Sequence, residues 1–498
     1  MVSDDITMTR HLTFSYFSLV VGMIISPVLL AILTRILSVE EYGVYTLLAT
    51  TAVLAGVILD LGISQFIITK LPGMRKKDKL TYSSSLLLFH FLIVAVLLAI
   101  AFIPHVHEAG INLLGLQGYR AAFDTMLFVA ALSILFRVVN SLLVGNKRME
   151  FKAITDILPN VILTLSLITV FIAFKRFTVQ TTMIIWLAGF IITIILSMLF
   201  LLARKEFALR LVRFSQVKTG FIFAIPLVPA IIGPWTVRVV DRYFLNSYHG
   251  SESVAIYGLA YALVTLVSTF GSAVTTTLYP HIAERWNLKK DHNMLFSSAL
   301  KYGLVIIAPC IIGILALGKQ IITMMSGVKY AQSATLLPII VWYPLFFFLI
   351  YLFRQQLLLR DKTGKLGAIL FSGAVFNIIL NLVLIPKWGI YGAGTANILS
   401  YVYMFLFTFF FAKKYMVWNW RYVKPARIAL ASVIMGVAVF LLNPSTFIFK
   451  LVTMAFGAAF YGALLIVFKV FDRMEQDIIR RYLLSTPARP LVEWVWRK

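Results

Sequence analysis

Apolar runs separated by short polar breaks follow one another along the chain from about residue 13 to residue 471. Fourteen runs are read: 13–37, 42–71, 80–103, 121–143, 154–174, 181–203 and 219–240, then 254–278, 297–317, 333–358, 366–385, 390–411, 425–442 and 446–471. Each has about the 20 residues with which a helix crosses the hydrocarbon core of a bilayer. With 498 residues over fourteen spans, about 36 remain per helix and loop, so no connection can house a folded soluble domain. The pattern predicts an all-α integral membrane protein whose work is done inside the bilayer.

Composition agrees, with 60% hydrophobic and 13% charged residues, proportions far from those of a soluble domain. Asp4 and Asp5 precede the first run and no small-residue cleavage site follows it, so it reads as a retained helix rather than a signal peptide. A single cysteine, Cys310, excludes an intrachain disulfide.

The net charge of +25 is informative through its position. Alternate loops collect most of the basic residues: Arg75, Lys76, Lys77 and Lys79; Lys147, Arg148 and Lys152; Arg204, Lys205, Arg210, Arg213 and Lys218; Arg285, Lys289 and Lys290; Arg360, Lys362 and Lys365; and Lys413 to Arg427. The opposite loops are poor in them and include Glu40 and Glu41. The positive-inside rule then places both termini in the cytoplasm, and the basicity is an orientation signal rather than a nucleic-acid footprint. Residues 472–498 carry Ile478, Ile479, Tyr482 and Leu483 on one helical face beside Arg480 and Arg481, which suits an amphipathic cytoplasmic helix or a solvated tail.

The two halves look alike. A displacement of 217 residues superimposes Arg137 on Arg354 and Asn160-Val-Ile-Leu-Thr-Leu on Asn377-Ile-Ile-Leu-Asn-Leu. With a small gap, Arg35, Ser38-Val-Glu-Glu-Tyr-Gly-Val-Tyr45 and Leu71-Pro72 match Arg242, Gly250-Ser-Glu-Ser-Val-Ala-Ile-Tyr257 and Tyr279-Pro280. The displacement spans six helices, an even number, so matched helices cross in the same direction. Such a parallel repeat has its axis along the membrane normal and its site at the midplane between halves. The boundaries expected are 1–212 and 213–417 for two six-helix bundles, 418–471 for two further helices and 472–498 for the tail.

These pieces, with Leu59-Asp-Leu-Gly-Ile63, Asp241-Arg-Tyr-Phe-Leu245 and the stretch from Asn377 to Gly394, resemble the bacterial and archaeal polysaccharide flippases. Those belong to the multidrug, oligosaccharidyl-lipid and polysaccharide exporter superfamily, and the resemblance covers nearly the whole chain. It implies two bundles of six helices around a cavity, two further helices, and transfer of an isoprenoid-diphosphate-linked saccharide to the outer leaflet of the cell membrane. It implies no cofactor. The partners implied are that lipid-linked saccharide and membrane lipids, with a glycan polymerase or glycosyltransferases of the same pathway as further candidates.

The residues can be weighed beside that resemblance. Charged groups within membrane runs are costly and face a cavity or a partner. Arg35 and the cluster Arg238, Asp241 and Arg242 fall toward the outer ends of their spans, whereas Arg137 and Arg354 fall toward the inner ends. This excess of guanidinium favours an anionic cargo such as a diphosphate. The competing reading is that Arg137 and Arg354 snorkel to headgroups, as Lys301 is expected to do. Arg238, Asp241 and Arg242 stand at i, i+3 and i+4, where local ion pairing is also open. Asp60 lies well inside its run and is read as an arginine partner, a proton or cation site, or a neutral acid in a helix contact. Pro226, Pro229 and Pro234 mark a hinge or an ordinary membrane-helix kink. Asn377 and Asn381 read as interhelical glue before sugar ligands.

The segment from Gly313 to Lys319 imitates a phosphate-binding loop, but Gln320 replaces the required Ser or Thr and the segment ends a membrane run. No catalytic or metal-ligand motif is found, so no enzyme activity is expected. A drug antiporter of the same superfamily would carry excess carboxylates in its cavity. A glycan polymerase would need a large outer loop with catalytic acids, and residues 104–120 contain only Glu108.

Overall fold

The computed structural model describes residues 2–174, 177–208, 212–415, 420–444, 446–472 and Glu475. The helices are α1 (Val2–Ile36), α2 (Val39–Leu59), α3 (Ile63–Lys70), α4 (Lys76–Ala101), α5 (Pro104–Leu114), α6 (Arg120–Gly145), α7 (Met149–Phe174), α8 (Val179–Ala203) and α9 (Phe214–Ala224). They are followed by α10 (Val228–Asn287), α11 (Asn293–Ser326), α12 (Ser333–Ile340), α13 (Tyr343–Leu358), α14 (Thr363–Ala412), α15 (Trp420–Val423), α16 (Pro425–Leu442) and α17 (Phe447–Val467). Eleven segments are long and apolar enough to cross a membrane. Two of these, Phe214–Asn287 and Thr363–Tyr415, each contain two arms meeting at a glycine, Gly250 (φ 77°) and Gly389 (φ 52°). Counting arms separately and adding the shorter apolar stretch Val20–Ile36 gives fourteen crossings among the described residues.

Three predicted runs are more interrupted than their hydropathy suggests. The run 42–71 breaks between α2 and α3, where Leu61 (φ 49°) and Gly62 (φ 79°) are left-handed. The run 333–358 breaks before Tyr343-Pro344, because a proline near a helix start needs no amide donor. Pro226 likewise sets a short 3₁₀ turn, Ile225–Leu227, between α9 and α10. Apolarity measures burial in lipid or protein and is blind to such breaks.

The helices form two compact units. One comprises Met1–Ala262, Ile322–Ile340 and Thr363–Met404, and the other Leu263–Ile321, Val341–Lys362 and Phe405–Lys498. The division passes through α10, α11 and α14 rather than between elements. In the first unit α2 and α8 pack on α6, and α1 packs on α7. Ile63, Ile67, Leu86, Val138 and Leu142 form part of its core. In the second unit α16 and α17 bury Met435, Val439, Tyr461 and Leu465 together with Leu317 of α11. Gly436 permits this approach, since a Cβ there would stand 2.2 Å from Ile312.

Lys301 is not a snorkelling anchor. Its side chain is 0% exposed and its ammonium lies 2.5 Å from Glu475, with the Tyr422 ring centroid at 4.1 Å. A carboxylate from beyond α17 therefore compensates the charge that headgroups were expected to meet. Residues 478–483 of the expected amphipathic tail lie outside the described residues.

Candidate functional site

The membrane face bearing Lys76, Lys77 and Arg204 is called the basic face below. At the opposite face of the first unit, the two matched stretches 38–45 and 250–257 pack directly on each other. A Cβ on Gly43 would lie 1.8 Å from the Ser251 carbonyl oxygen, so only glycine admits this approach. α2 begins there with a capping box in which Ser38 and Glu41 exchange hydrogen bonds of 3.1 and 3.0 Å. Beside it Arg35, in the last turn of α1, donates to the Met324 and Met325 carbonyl oxygens ending α11, at 2.6 and 2.9 Å. Lys329 returns the bond, donating to the Leu37 carbonyl oxygen just past α1 at 2.6 Å. Each helix end thus has its orphan carbonyls, and the negative end of its dipole, capped by a cation from across this clasp. Tyr42 and Tyr330 meet edge to face behind it, their centroids 5.8 Å apart.

Deeper in the same unit, Asp241 is 0% exposed. Its carboxylate accepts from the Tyr257 hydroxyl at 2.5 Å and from the Asn381 and Asn397 amides at 2.7 and 3.1 Å. Asn381 also reaches Asn377, and Asn397 reaches the Val237 carbonyl oxygen. The glue reading therefore describes what Asn381 does, whereas Asn377 accepts from Asn381 on its own helix and its amide nitrogen has no partner among the described residues. Gly233 allows α14 to come this close, because a Cβ there would lie 2.8 Å from the Leu370 carbonyl oxygen. The Asn381 and Asn397 amide oxygens are buried without a partner among the described residues.

Arg242 donates to the Arg238 carbonyl oxygen at 2.6 Å and lies 5.3 Å from the Tyr261 ring centroid. Arg238 stands 5.0 Å from the Trp235 ring centroid. The carboxylate between them is held by neutral amides of α14 and by a phenol on the other arm of α10.

Asp60 caps α3 across the break, accepting from the Ser64 amide at 3.2 Å and its hydroxyl at 2.6 Å. Its hydrogen-bond partner is thus a serine, not an arginine. Buried His90 sets Nδ1 2.7 Å from the Leu86 carbonyl oxygen, leaving Nε2 without a partner among the described residues. Arg137, eight residues before the end of α6, has a buried Nε–H that likewise meets no acceptor among the described residues. Arg354, in the second unit, lies 3.5 Å from the ring centroid of Tyr351 one turn earlier. The first unit therefore brings Arg238, Asp241 and Arg242 together, and places Arg35 in the clasp.

Sequence reasoning missed Lys329, Asn397 and His90. Lys329 lies in the short 3₁₀ turn Val328–Tyr330, where no helical periodicity registers it, while Tyr257 was signalled only as a repeat position.

The model of the polysaccharide biosynthesis protein family matches residues 32–335, more than half of the chain. The chain belongs to that family. This family member is 23% identical over 376 residues to an uncharacterized membrane protein of Methanocaldococcus jannaschii, covering 71% of this chain and 73% of the relative. It is 22% identical over 218 residues to the probable low-salt glycan biosynthesis flippase Agl15 of Haloferax volcanii, covering 43% and 45%. Probable flippase AglR of the same organism is 26% identical over 168 residues, covering 32% and 35%. Its fold is that of the lipid II flippase MurJ in an inward closed conformation, with a TM-score of 0.77 over 95% of this chain and 100% of that one, at 17% identity. An inward-facing multidrug transporter of the MATE family is similar at a TM-score of 0.62, covering 79% of this chain and 95% of that one, at 13% identity.

Proposed function

We propose that this polysaccharide biosynthesis family member is a flippase that carries an isoprenoid-diphosphate-linked oligosaccharide to the outer leaflet by alternating access. The observation that carries the reading is Arg137, a buried guanidinium donor within a membrane span that meets no acceptor among the described residues. An unanswered cationic donor is costly in a membrane. A diphosphate supplies the forked acceptors that guanidinium fits, and the saccharide beyond it needs no chemistry beyond a polar cavity. Two archaeal relatives named as probable flippases, one of them for glycan biosynthesis, support a flippase.

In this reading residues 1–212 and 213–417 are two six-helix halves, each supplying one member of the pair Arg137 and Arg354. Residues 418–471 add two helices, the basic face is cytoplasmic, and the membrane is the cell membrane. Arg238 and Arg242 meet the cargo after Arg137 and Arg354 release it, and no bond in the cargo is broken. The fold shared with multidrug transporters favours a second reading, export of organic cations, but the guanidinium groups of Arg137, Arg242 and Arg354 repel such a cargo.

The test uses proteoliposomes and a short-chain isoprenyl-diphosphate saccharide. Arg137→Gln and Arg354→Gln should each slow its translocation roughly tenfold, which is about the loss of one charge-assisted hydrogen bond. Normal rates in both variants, with normal protein insertion, would overturn the anionic-cargo reading.

A further inference from the structure

A cavity of about 590 Å³ opens at the basic face of the first unit, where α6 turns into α7 beside the end of α8. Its floor is apolar. Phe14 and Ile154 face it with Phe200, whose ring is stacked at 4.1 Å on Phe151. Its rim is cationic. Arg148 is fixed by two hydrogen bonds to one Glu206 oxygen, at 2.8 and 2.6 Å. Arg204 sits 5.5 Å from the Phe200 ring centroid, immediately after the apolar span of α8 ends at Ala203. Lys147 projects from a left-handed turn residue (φ 60°) and is exposed. Neither the Lys147 nor the Arg204 side chain has a hydrogen-bond or ion-pair partner among the described residues. Among the described residues Glu150 is the carboxylate that lines the cavity, and Glu206 stands behind Arg148.

The corresponding turn between α13 and α14 shows what this site lacks. Both turns have one left-handed residue, Lys147 (φ 60°) and Asp361 (φ 53°). In both, the next amide returns to a carbonyl five residues back, Arg148 to Leu143 at 2.7 Å and Lys362 to Leu357 at 2.9 Å. At the second turn, however, an aspartate replaces the exposed lysine. The neighbouring cations are also occupied, with Arg360 4.3 Å from the ring centroids of both Trp286 and Tyr415, and Lys362 bonded to the Tyr415 hydroxyl. The second turn's cations thus meet close rings and a hydroxyl, whereas at the first turn the Lys147 ammonium has no partner among the described residues and Arg204 has only the more distant Phe200 ring beside it.

We propose that the cavity lined by Lys147, Arg148 and Arg204 binds a lipid-borne phosphate, with the lipid chain lying on the Phe14, Ile154 and Phe200 floor. Cations at the end of a membrane span meet headgroup phosphates, and a basic pocket between such helices recognises an anionic headgroup rather than a zwitterionic one. The phosphate could belong to an anionic glycerophospholipid or to an isoprenoid diphosphate. This site is separate from Arg137, and it requires only that the chain spans a membrane, so it stands or falls independently of the flippase reading.

The experiment is native mass spectrometry of the full chain in detergent, offered phosphatidylglycerol and phosphatidylcholine of identical acyl chains. Wild type should retain phosphatidylglycerol about tenfold better. Lys147→Asp, which installs the residue that the matching turn tolerates at the same φ, should cut that preference at least threefold, and Lys147→Gln with Arg204→Gln should abolish it. Lys76→Gln with Lys77→Gln, on exposed lysines of the same face, should keep it. Farnesyl diphosphate distinguishes the sources: displacement of phosphatidylglycerol from wild type assigns the cavity to both phosphates, and no displacement assigns it to the phospholipid. The proposal is overturned if wild type shows no preference, or if the Lys147 and Arg204 variants, melting like wild type, retain it.

Discussion

Arg35 and Arg137 are both guanidinium groups on membrane-spanning helices, yet they sit in opposite regimes. Arg35 has two peptide carbonyls as acceptors and Lys329 answers it across the clasp. Arg137 holds a buried Nε–H that meets none among the described residues. The contrast is confined to these two groups. Around the clasp, Glu41 and Ser38 exchange hydrogen bonds and, deeper, the Asp241 carboxylate accepts three, but the Tyr330 hydroxyl and the Arg242 Nε–H there are buried without a partner among the described residues, as is the His90 Nε2 on α4. A satisfied buried polar group ties helices together and stabilises one arrangement, while an unsatisfied one costs free energy until something binds it. On this argument the Arg35 and Lys329 caps favour closure, and the Arg137 donor is free to meet a guest.

The largest effect should come from removing the acceptor that joins three donors. Asp241→Ala would strand the Tyr257 hydroxyl and weaken the Asn381 and Asn397 amides, which keep Asn377 and Val237 as partners. At about 1 to 3 kcal/mol for each buried group left unmet, a loss of roughly 2 to 4 kcal/mol is expected. Thermal unfolding in detergent measures it, and Asp241→Asn, whose amide oxygen still accepts, should recover a large part. Equal melting of Asp241→Ala and wild type would erase the distinction between the two regions. The converse control is Arg137→Gln, which should leave melting within about 1 kcal/mol of wild type, because it removes a charge that holds nothing together.

The clasp itself should respond more mildly, since Arg35 is exposed and water competes for its donors. Arg35→Gln with Lys329→Gln should cost about 1 to 2 kcal/mol of closure, corresponding to a fivefold to thirtyfold rise in the open population. Val44 is 0% exposed on α2, so in a Cys310→Ala background a Val44→Cys thiol reports opening through its labelling rate. An unchanged labelling rate would mean that the glycine contact at Gly43, and not the pair of capped helix ends, keeps this face shut.

How much of this was legible beforehand depended on whether the signal was local. Fourteen crossings could be read because each helix announces itself by its own apolar length. Arg35 could be read as a misplaced charge, but its acceptors on α11 come from almost three hundred residues away and leave no trace in composition. Asp241 was legible as a buried acid flanked by arginines. Its real donors lie on three other stretches, and sequence spacing favoured the arginines because it registers only i, i+3 and i+4 neighbours. Lys301 was misread for the same reason: Glu475, its partner, follows the last span, where nothing local connects the two.

The smallest effect concerns that pair, and its sign can be worked out. Burial works against a charged Glu475, but hydrogen bonds from Lys301, Tyr302, the Asp472 amide and Tyr422 outweigh it and lower the carboxyl from 4.5 to about 2. A depressed carboxylate stabilises the fold fully above its ordinary value, and that contribution fades as the pH falls from about 4.5 toward about 2. Lys424 and Arg427 also hold this segment through the Lys469, Val470 and Phe468 carbonyl oxygens, bonds that protonation of Glu475 does not touch. Glu475→Gln should therefore lower the unfolding temperature by only about 1 to 2 °C at pH 7. That gap should narrow steadily between pH 5 and pH 3, because over this range the unfolded chain takes up a proton at Glu475 while the folded wild type keeps the carboxylate ionised. A gap that stays constant over this range would show that the shape of the side chain, and not its charge, fastens the segment after α17 to Lys301.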